Sequence, residues 1–309
     1  AAGKGYKAVQ IPCNHPHIFD VEKAAESQAY CDDITARLAA HGLVISELST
    51  HLEGQLVAVN PVYSEAFDHF APASVRGNEA ARRAWATEKL KQAAVASARL
   101  GLKAHATFSG SLAWPFFYPW PPHNEQRFQE AFEELATRWR PILDTFDEQG
   151  VDVCFELHPG EDLHDGVTFE RFLAKVDNHP RCHMLYDPSH LHLQNIDYLA
   201  YLDIYHSRIR AFHVKDAEFE RNGRVEQKCP AAGRGGRGDE RLRSGVERIP
   251  LNGEGACTHG YQHAHDHEDN EQLKQGEPGG PPLSGRAHLR PRCRRLRLRR
   301  LPRRRSRGS

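Results

Sequence analysis

The sequence predicts an α/β fold of the (β/α)8 TIM-barrel class for residues 1–219, and three observations lead to that prediction. Short apolar runs alternate with longer amphipathic runs along this part of the chain. Several amphipathic runs end in a glycine directly before the next apolar run. Nearly every apolar run ends in a polar side chain suited to catalysis. In a barrel all strand ends meet at one mouth, whereas a doubly wound sheet spreads them along an edge.

Six apolar runs have the composition of strands that are buried on both faces. Each is short, rich in Val, Ile, Leu or Phe, and bounded by residues typical of turns. No glycine-rich phosphate-binding loop follows any of them, which disfavours a dinucleotide-binding sheet. The predicted strands are 7–12, 43–50, 102–108, 151–158, 182–187 and 209–214.

Five amphipathic segments between these runs are predicted helices. Gly42, Gly101 and Gly150 stand where a left-handed helix cap belongs, just before the next strand. The repeated order of helix, glycine and strand is typical of βα units. The predicted helices are 21–40, 78–100, 124–149, 168–177 and 196–207.

We expect the barrel to be incomplete, because about six of its eight strands are recognisable. The opening residues resemble the end of a first helix followed by a second strand, so the first strand is missing. Residues 220–309 are rich in Arg, Gly and Pro and lack periodicity, so we expect them to be disordered or out of frame. Two alternatives remain for this segment. It is a disordered tail that binds nucleic acid non-specifically, or it is a replacement confined to one lineage.

Charge and cysteine content narrow the class of protein. Residues 1–220 hold 20 Lys and Arg against 31 Asp and Glu, a net charge of −11, and residues 221–309 carry +11. The seven cysteines show no C-x-x-C spacing, which argues for reduced thiols. No apolar run is long enough to cross a membrane, and no secretion signal opens the sequence. We therefore expect a cytoplasmic protein. A homo-oligomer is compatible with these features.

Three strand ends carry residues that ligate metals. Glu156, Asp187 and His213 close three successive predicted strands, about 30 residues apart. One βα unit between each pair brings the three side chains to the same height of a barrel. Carboxylates with one imidazole suit a hard divalent cation, so we expect Mn²⁺, Mg²⁺ or Co²⁺ rather than Zn²⁺. Taken singly, each residue could instead be a cap, an ion-pair partner or a core group.

The runs FELHPGEDLHDG (155–166), LYDPSHLHLQ (185–194) and AFHVKDAEF (211–219) resemble the sugar phosphate isomerase/epimerase family of xylose-isomerase-like TIM barrels. The resemblance implies that Glu156 is both a metal ligand and a proton-transferring carboxylate. It implies the second and third ligands at Asp187 and His213. It also implies that His190, which we include among the catalytic residues, binds substrate oxygens or a metal.

Further residues are expected to contact substrate. The resemblance places His158 and Glu161 beside the metal, with Lys215, Asp216, His105 and His51 as possible neighbours. A proline-rich loop after the third predicted strand carries Trp114, Phe116, Phe117, Tyr118 and Trp120. Aromatic rings at a barrel mouth suit stacking on a sugar, although they could equally cap the core or form an oligomer contact.

The resemblance implies a metal-dependent isomerase or epimerase of a sugar or sugar phosphate. A fourth ligand, a Glu ending the eighth strand, finds no match after residue 219, and Glu254 lacks an apolar strand before it. We therefore expect impaired activity. One alternative is an endonuclease IV-type phosphodiesterase, which the acidic charge of residues 1–220 disfavours. The other alternative is a non-catalytic fragment of a degenerate barrel.

Overall fold

The computed structural model describes residues 2–118, 124–219 and 225–228. The strands are β1 (Ala8–Pro12), β2 (Val44–Thr50), β3 (Ala104–Thr107), β4 (Asp152–Glu156), β5 (Cys182–Tyr186), β6 (Ile209–Phe212), β7 (Asp216–Phe219) and β8 (Val225–Lys228). The helices are α1 (Val21–Glu26), α2 (Gln28–Ala39), α3 (His51–Val57), α4 (Glu79–Arg99), α5 (Glu125–Gln149), α6 (Gly166–Lys175), α7 (Pro188–Leu193) and α8 (Tyr198–Tyr205). Short 3₁₀ turns include Pro61–Tyr63 and Trp114–Phe116.

Strands β1 to β6 form one parallel sheet in the order of the sequence. The sheet is strongly curled, because Gln10 in β1 reaches His213, just after β6, with 3.0 Å between their Nε2 atoms. Among the residues that the structure describes, no seventh strand joins this sheet. The six predicted strands are therefore confirmed, and they form a curled half-barrel with helices outside it.

The two faces of the sheet bury side chains of different size. The concave face packs a small cluster of Ala106, Cys154, Leu185 and Ala211. The outer face packs against the helices, where the α5 residue Trp139 is fully buried and meets Phe155 edge-on at 4.7 Å between ring centroids. Both faces of the parallel sheet are therefore packed, as the apolar runs of its strands predicted.

Each of the five predicted helical segments contains helix in the structure, with differences in detail. Gly42, Gly101 and Gly150 have φ of 69°, 72° and 67°, which confirms the left-handed caps. The first predicted helix breaks at Ser27, whose N–H donates to the carbonyl of Lys23 in α1 while its hydroxyl accepts from the N–H of Tyr30 in α2. Helices α3 and α7 were not predicted.

The antiparallel pair β7–β8 was not predicted either. Asp216 pairs with Lys228, and Phe219 with Val225. Strand β8 lies within the segment predicted to be disordered or out of frame, and the remainder of 220–309 lies outside the described residues. The boundary at residue 219 stays a prediction. In the described part of the chain, no helix combines the length and apolar character that a membrane span needs.

Candidate active site

The Glu156 carboxylate, at the end of β4, is the centre of a polar cluster at the carboxyl ends of the strands. Its Oε2 lies 2.9 Å from His51 Nε2. Its Oε1 lies 3.2 Å from His190 Nε2, 3.3 Å from His213 Nδ1 and 3.1 Å from Lys215 Nζ. Burial alone would raise the pKa of Glu156, but the charges of His213 and Lys215 and the imidazole hydrogen bonds hold it well below its usual range. Glu156 is therefore a buried, ionised carboxylate.

The D-P-S-H run builds the second carboxylate into the cluster. Asp187 caps α7, and its Oδ1 accepts hydrogen bonds from the Ser189 N–H at 2.9 Å and hydroxyl at 2.6 Å. Its Oδ2 accepts no hydrogen bond of good geometry and lies 2.9 Å from Lys215 Nζ and 3.5 Å from His190 Nε2. Ser189 thus fixes the carboxylate, and the helical spacing of three residues brings His190 beside it.

His213 joins the cluster from the end of β6. The backbone N–H of His213 donates to the Tyr186 carbonyl of β5, and this bond fixes the height of His213 in the barrel. Burial opposes the charged form of its ring, but the Glu156 charge prevails and raises the pKa of His213. On the other side of the ring, Gln10 Nε2 lies 3.0 Å from His213 Nε2 and donates to Glu47 Oε1 at 2.8 Å.

The cluster offers two overlapping sets of metal-ligating atoms. In each set the ligand atoms lie within 4.8 Å of one another. The predicted ligands are divided between them, since Glu156 belongs to both, Asp187 to one and His213 to the other. The sets are His51, Glu156 and His213, and Glu156, Asp187 and His190.

These residues fit a divalent cation. Carboxylate oxygens and imidazole nitrogens are the ligand types that Mn²⁺, Co²⁺ and Zn²⁺ accept. Asp187 Oδ2, His51 Nε2 and His190 Nδ1 are buried without a hydrogen-bond partner, although Asp187 Oδ2 and His51 Nε2 lie in ion-pair contacts. Buried polar atoms are rarely left in this state unless a water or an ion completes them.

His158, a predicted substrate contact, is also brought to this cluster. Its ring packs edge-on against the His190 ring at 4.1 Å between centroids. Burial lowers the pKa of His158 to about 3, so the ring is neutral. Its Nδ1 lies 2.6 Å from the Pro159 carbonyl, a contact that requires the proton on Nδ1. The Nε2 atom is therefore left as an acceptor.

Glu161 and its neighbour Asp162 hold the loop after β3 rather than the metal-ligating cluster. Glu161 Oε2 accepts from the Gly110 N–H at 2.7 Å. Asp162 accepts three backbone N–H bonds, from Leu112 at 2.7 Å, Ala113 at 2.8 Å and Trp114 at 3.0 Å. Glu161 Oε2 thus positions the loop, and a substrate contact by Glu161 stays a prediction.

Trp114 begins a 3₁₀ turn of this loop and is half-buried. Its ring lies edge-on to His164 at 5.2 Å and to Phe117 at 5.8 Å between centroids. Phe117 in turn packs on Phe128 of α5 at 5.1 Å. The loop aromatics thus cap the core in part, and Trp120 lies outside the described residues.

The structure does not bring His105, a predicted substrate contact, to the cluster. The His105 side chain is fully buried between the sheet and the helices, with its Nε2 2.6 Å from Thr50 Oγ1 and its ring 5.2 Å from that of Phe146. Burial lowers its pKa to about 3. For Asp216 the structure describes only the backbone, which starts β7.

The structure also adds residues that the sequence reasoning missed. Gln10, Glu47 and Ser189 position the ligating side chains, and Asp162 holds the loop. Gln10 and Glu47 carried a signal, because Gln10 is a polar residue inside an otherwise apolar strand and Glu47 is the charged residue of its strand. His51, expected only as a possible neighbour, contacts Glu156 directly.

A curled parallel sheet with buried carboxylates and imidazoles at its carboxyl edge defines a protein of the (β/α)-barrel class. The family follows from comparison: residues 1–271 match the xylose isomerase-like TIM barrel family, and the chain belongs to it. The match runs past residue 219.

Individual relatives give less detail than the family. The chain is 30% identical over 107 residues to the inosose dehydratase of Bacillus velezensis. That alignment covers 34% of this chain and 33% of the relative, so the chain spans about a third of the length of the curated relative that it matches. Two solved structures share the fold: the probable 3-DHS dehydratase AsbF of Bacillus anthracis and a xylose isomerase domain protein of Planctomyces limnophilus.

The AsbF structure superposes with a TM-score of 0.56 at 16% identity, covering 85% of this chain and 86% of that one. The Planctomyces structure gives a TM-score of 0.54 at 17% identity, covering 84% and 83% of the two chains. At this level of identity the likeness establishes the fold and leaves the chemistry to the site itself.

Proposed function

We propose that the chain is a metal-dependent isomerase or epimerase of a sugar or sugar phosphate, which moves a proton between adjacent carbons. One observation carries the proposal. Glu156 is buried, ionised and surrounded by imidazoles and a second carboxylate at the mouth of the sheet. A carboxylate in such surroundings can ligate a cation and accept a proton from carbon.

Glu156, Asp187 and His213 would hold the cation. Glu156 would share it with Asp187 and His190 in one set of ligating atoms, or with His213 and His51 in the other. When bound, a divalent cation supplies the positive charge that polarises a substrate carbonyl and its neighbouring hydroxyl. The donor types suit Mn²⁺, Mg²⁺ or Co²⁺, and we propose Mn²⁺ for the first trials.

The other residues of the cluster bind and orient the substrate. Neutral His158, with its Nδ1–H on the Pro159 carbonyl, can accept a hydrogen bond from a substrate hydroxyl at Nε2. His190 lies between Glu156 and Asp187 and can relay a proton to either carboxylate. The half-buried Trp114, which belongs to the loop that Asp162 holds, offers the apolar face of its ring.

A second candidate is a dehydratase, favoured by the alignment with an inosose dehydratase. Both reactions begin with removal of a proton from a carbon next to a carbonyl. They differ afterwards, because dehydration expels a neighbouring hydroxyl as water, whereas isomerisation and epimerisation return a proton to carbon. The same cluster can serve either outcome.

We further propose that turnover is weak, because no glutamate after residue 219 matches the expected fourth ligand. In an epimerase that carboxylate would return the proton on the opposite side of the substrate. The first proton transfer does not need it. A test must therefore detect a single proton transfer as well as net product.

Exchange of substrate hydrogen with solvent deuterium meets that need. The purified chain with Mn²⁺ is incubated in D2O with ketopentoses, ketohexoses, their phosphates and inosose, and the products are followed by NMR and mass spectrometry. Deuterium in recovered sugar supports the isomerase or epimerase, and loss of water from inosose supports the dehydratase.

The matched pair of variants is Glu156→Gln and Glu148→Gln. Glu148 is an exposed residue of α5 and does not belong to the cluster. Glu156→Gln should lower the exchange rate by about 10²-fold or more, the usual contribution of a proton-transferring group, while Glu148→Gln leaves it unchanged. Exchange that is equal in both variants would contradict the proposal.

A further inference from the structure

The Lys215 side chain lies in the middle of the candidate cation site. Its Nζ is 3.1 Å from Glu156 Oε1, 2.9 Å from Asp187 Oδ2 and 2.9 Å from His190 Nε2. These three partners are one of the two sets of metal-ligating residues. The ammonium thus contacts the same atoms that a divalent cation would use.

We infer that Lys215 is a resident cation of the metal-free site, which a divalent cation must displace in order to bind Glu156 and Asp187 together. The inference rests on the proposed metal centre and adds a competitor to it. Two carboxylates buried side by side repel each other unless a positive charge lies between them. In the metal-free chain, Lys215 provides that charge.

Displacement follows from charge and from space. A divalent cation on Glu156 and Asp187 would stand a few ångströms from the ammonium, and like charges at that separation repel strongly in a buried site. Both carboxylate side chains are at most 3% exposed, whereas that of Lys215 is 25% exposed. The lysine has a long flexible stem with a path to solvent, so it is the group that can leave.

Two consequences distinguish a competitor from a residue that helps to hold the metal. Removing the ammonium should increase the affinity for a divalent cation, because nothing has to be displaced. It should also destabilise the metal-free chain, because the carboxylates lose their counter-charge, and added metal should restore the stability.

The test compares the whole chain with Lys215→Met and Lys215→Gln, and with Lys103→Met as an exposed control. Mn²⁺ binding is measured by calorimetry, and thermal unfolding is followed with and without Mn²⁺. We expect Lys215→Met and Lys215→Gln to bind Mn²⁺ at least about tenfold more tightly, a change of about 1.4 kcal/mol. Both should unfold at lower temperature without metal and gain more from Mn²⁺ than the parent does.

A second measurement uses the unaltered chain. Acetylation of lysines by acetic anhydride is mapped by mass spectrometry with and without Mn²⁺, and Lys103 serves as the internal reference. Displacement should raise the labelling of Lys215 severalfold when Mn²⁺ binds, with no change at Lys103. This measurement does not depend on whether a variant folds.

The outcomes separate this inference from the proposed function. If the parent binds Mn²⁺ while the Lys215 variants bind it equally or less tightly and labelling is unchanged, Lys215 is no competitor and the metal centre stands. If neither the parent nor the variants bind Mn²⁺, both the metal centre and the displacement are refuted. Binding by the variants alone would support the inference most strongly.

Discussion

Asp162 should be one of the residues on which the stability of the barrel mouth depends most. Its carboxylate is fully buried and accepts the backbone N–H groups of Leu112, Ala113 and Trp114 at 2.7 to 3.0 Å. Replacement by Ala removes all three acceptors at once. The loop after β3 then keeps its buried donors without partners.

The magnitude follows from the burial of the three donors. The Ala113 N–H is buried and loses about 2 kcal/mol when its acceptor goes, whereas the Leu112 and Trp114 groups are partly accessible to water and lose about 1 kcal/mol each. The variant no longer has to bury a carboxyl group, which offsets this loss by about 1 kcal/mol. The net cost of Asp162→Ala is about 3 kcal/mol, which for a domain of this size lowers Tm by about 6–12 °C.

Chemical and thermal unfolding of three variants would test this estimate. Asp162→Asn keeps the Oδ1 acceptor of Ala113 and Trp114 but turns an amide N–H toward that of Leu112, so it should cost about 1–2 kcal/mol. Asp33→Ala, on the exposed face of α2, should stay within about 0.5 kcal/mol of the parent. A loss below about 1 kcal/mol for Asp162→Ala, or equal losses for its Ala and Asn variants, would refute the reasoning.

Three further predictions concern other parts of the site. Burial raises the pKa of Glu161 to about 8, so the folded state binds its proton more tightly than the unfolded state does, and stability falls as pH rises from about 5 to 8. In urea unfolding, the free energy of unfolding of Glu161→Gln should therefore rise relative to that of the parent by about 1 kcal/mol per pH unit over that range. A fall relative to the parent would show that the ionised form is the favoured one. Gly54→Ala should cost about 1–3 kcal/mol in the same assay, since its Cβ would overlap the Phe108 backbone, while Gly3→Ala, which meets nothing within 4 Å, should be neutral. Ser189→Ala removes the hydroxyl at 2.6 Å from Asp187 and should weaken Mn²⁺ affinity about tenfold, and unchanged affinity would mean that the Ser189 N–H alone orients the carboxylate.

Much of the fold could be predicted because parallel strands are buried on both faces and therefore stand out as apolar runs. The break at Ser27 could not be predicted, since it depends on tertiary contacts. Arg99 of α4 donates to the Ala25 carbonyl, and Gln28 donates to that of Arg99. Helix α3 likewise owes its formation to packing on α4 and β3, against the low helix propensity of Gly54.

The site residues that stand at strand ends were predictable from the sequence. A residue inside a strand was less predictable, because its role depends on which face of the sheet its side chain takes. Glu156, Asp187, His190 and His213 follow strand ends, and the structure gathers them. His105 lies inside a strand, where a buried position does not reveal which face the side chain takes. Alternation along the strand decides the face: Ala104 and Ala106 belong to the interior cluster, so His105 points to the helices.

The most direct test of the central claim is calorimetric titration of the whole chain with Mn²⁺, beside the variants Glu156→Gln and Glu148→Gln. Glu156 belongs to both sets of ligating residues, so its loss leaves neither complete. The account predicts saturable binding to the parent and to Glu148→Gln, and a loss of at least about 10²-fold in affinity for Glu156→Gln. Equal binding by both variants would contradict it, and so would the absence of binding to both the parent and the Lys215 variants.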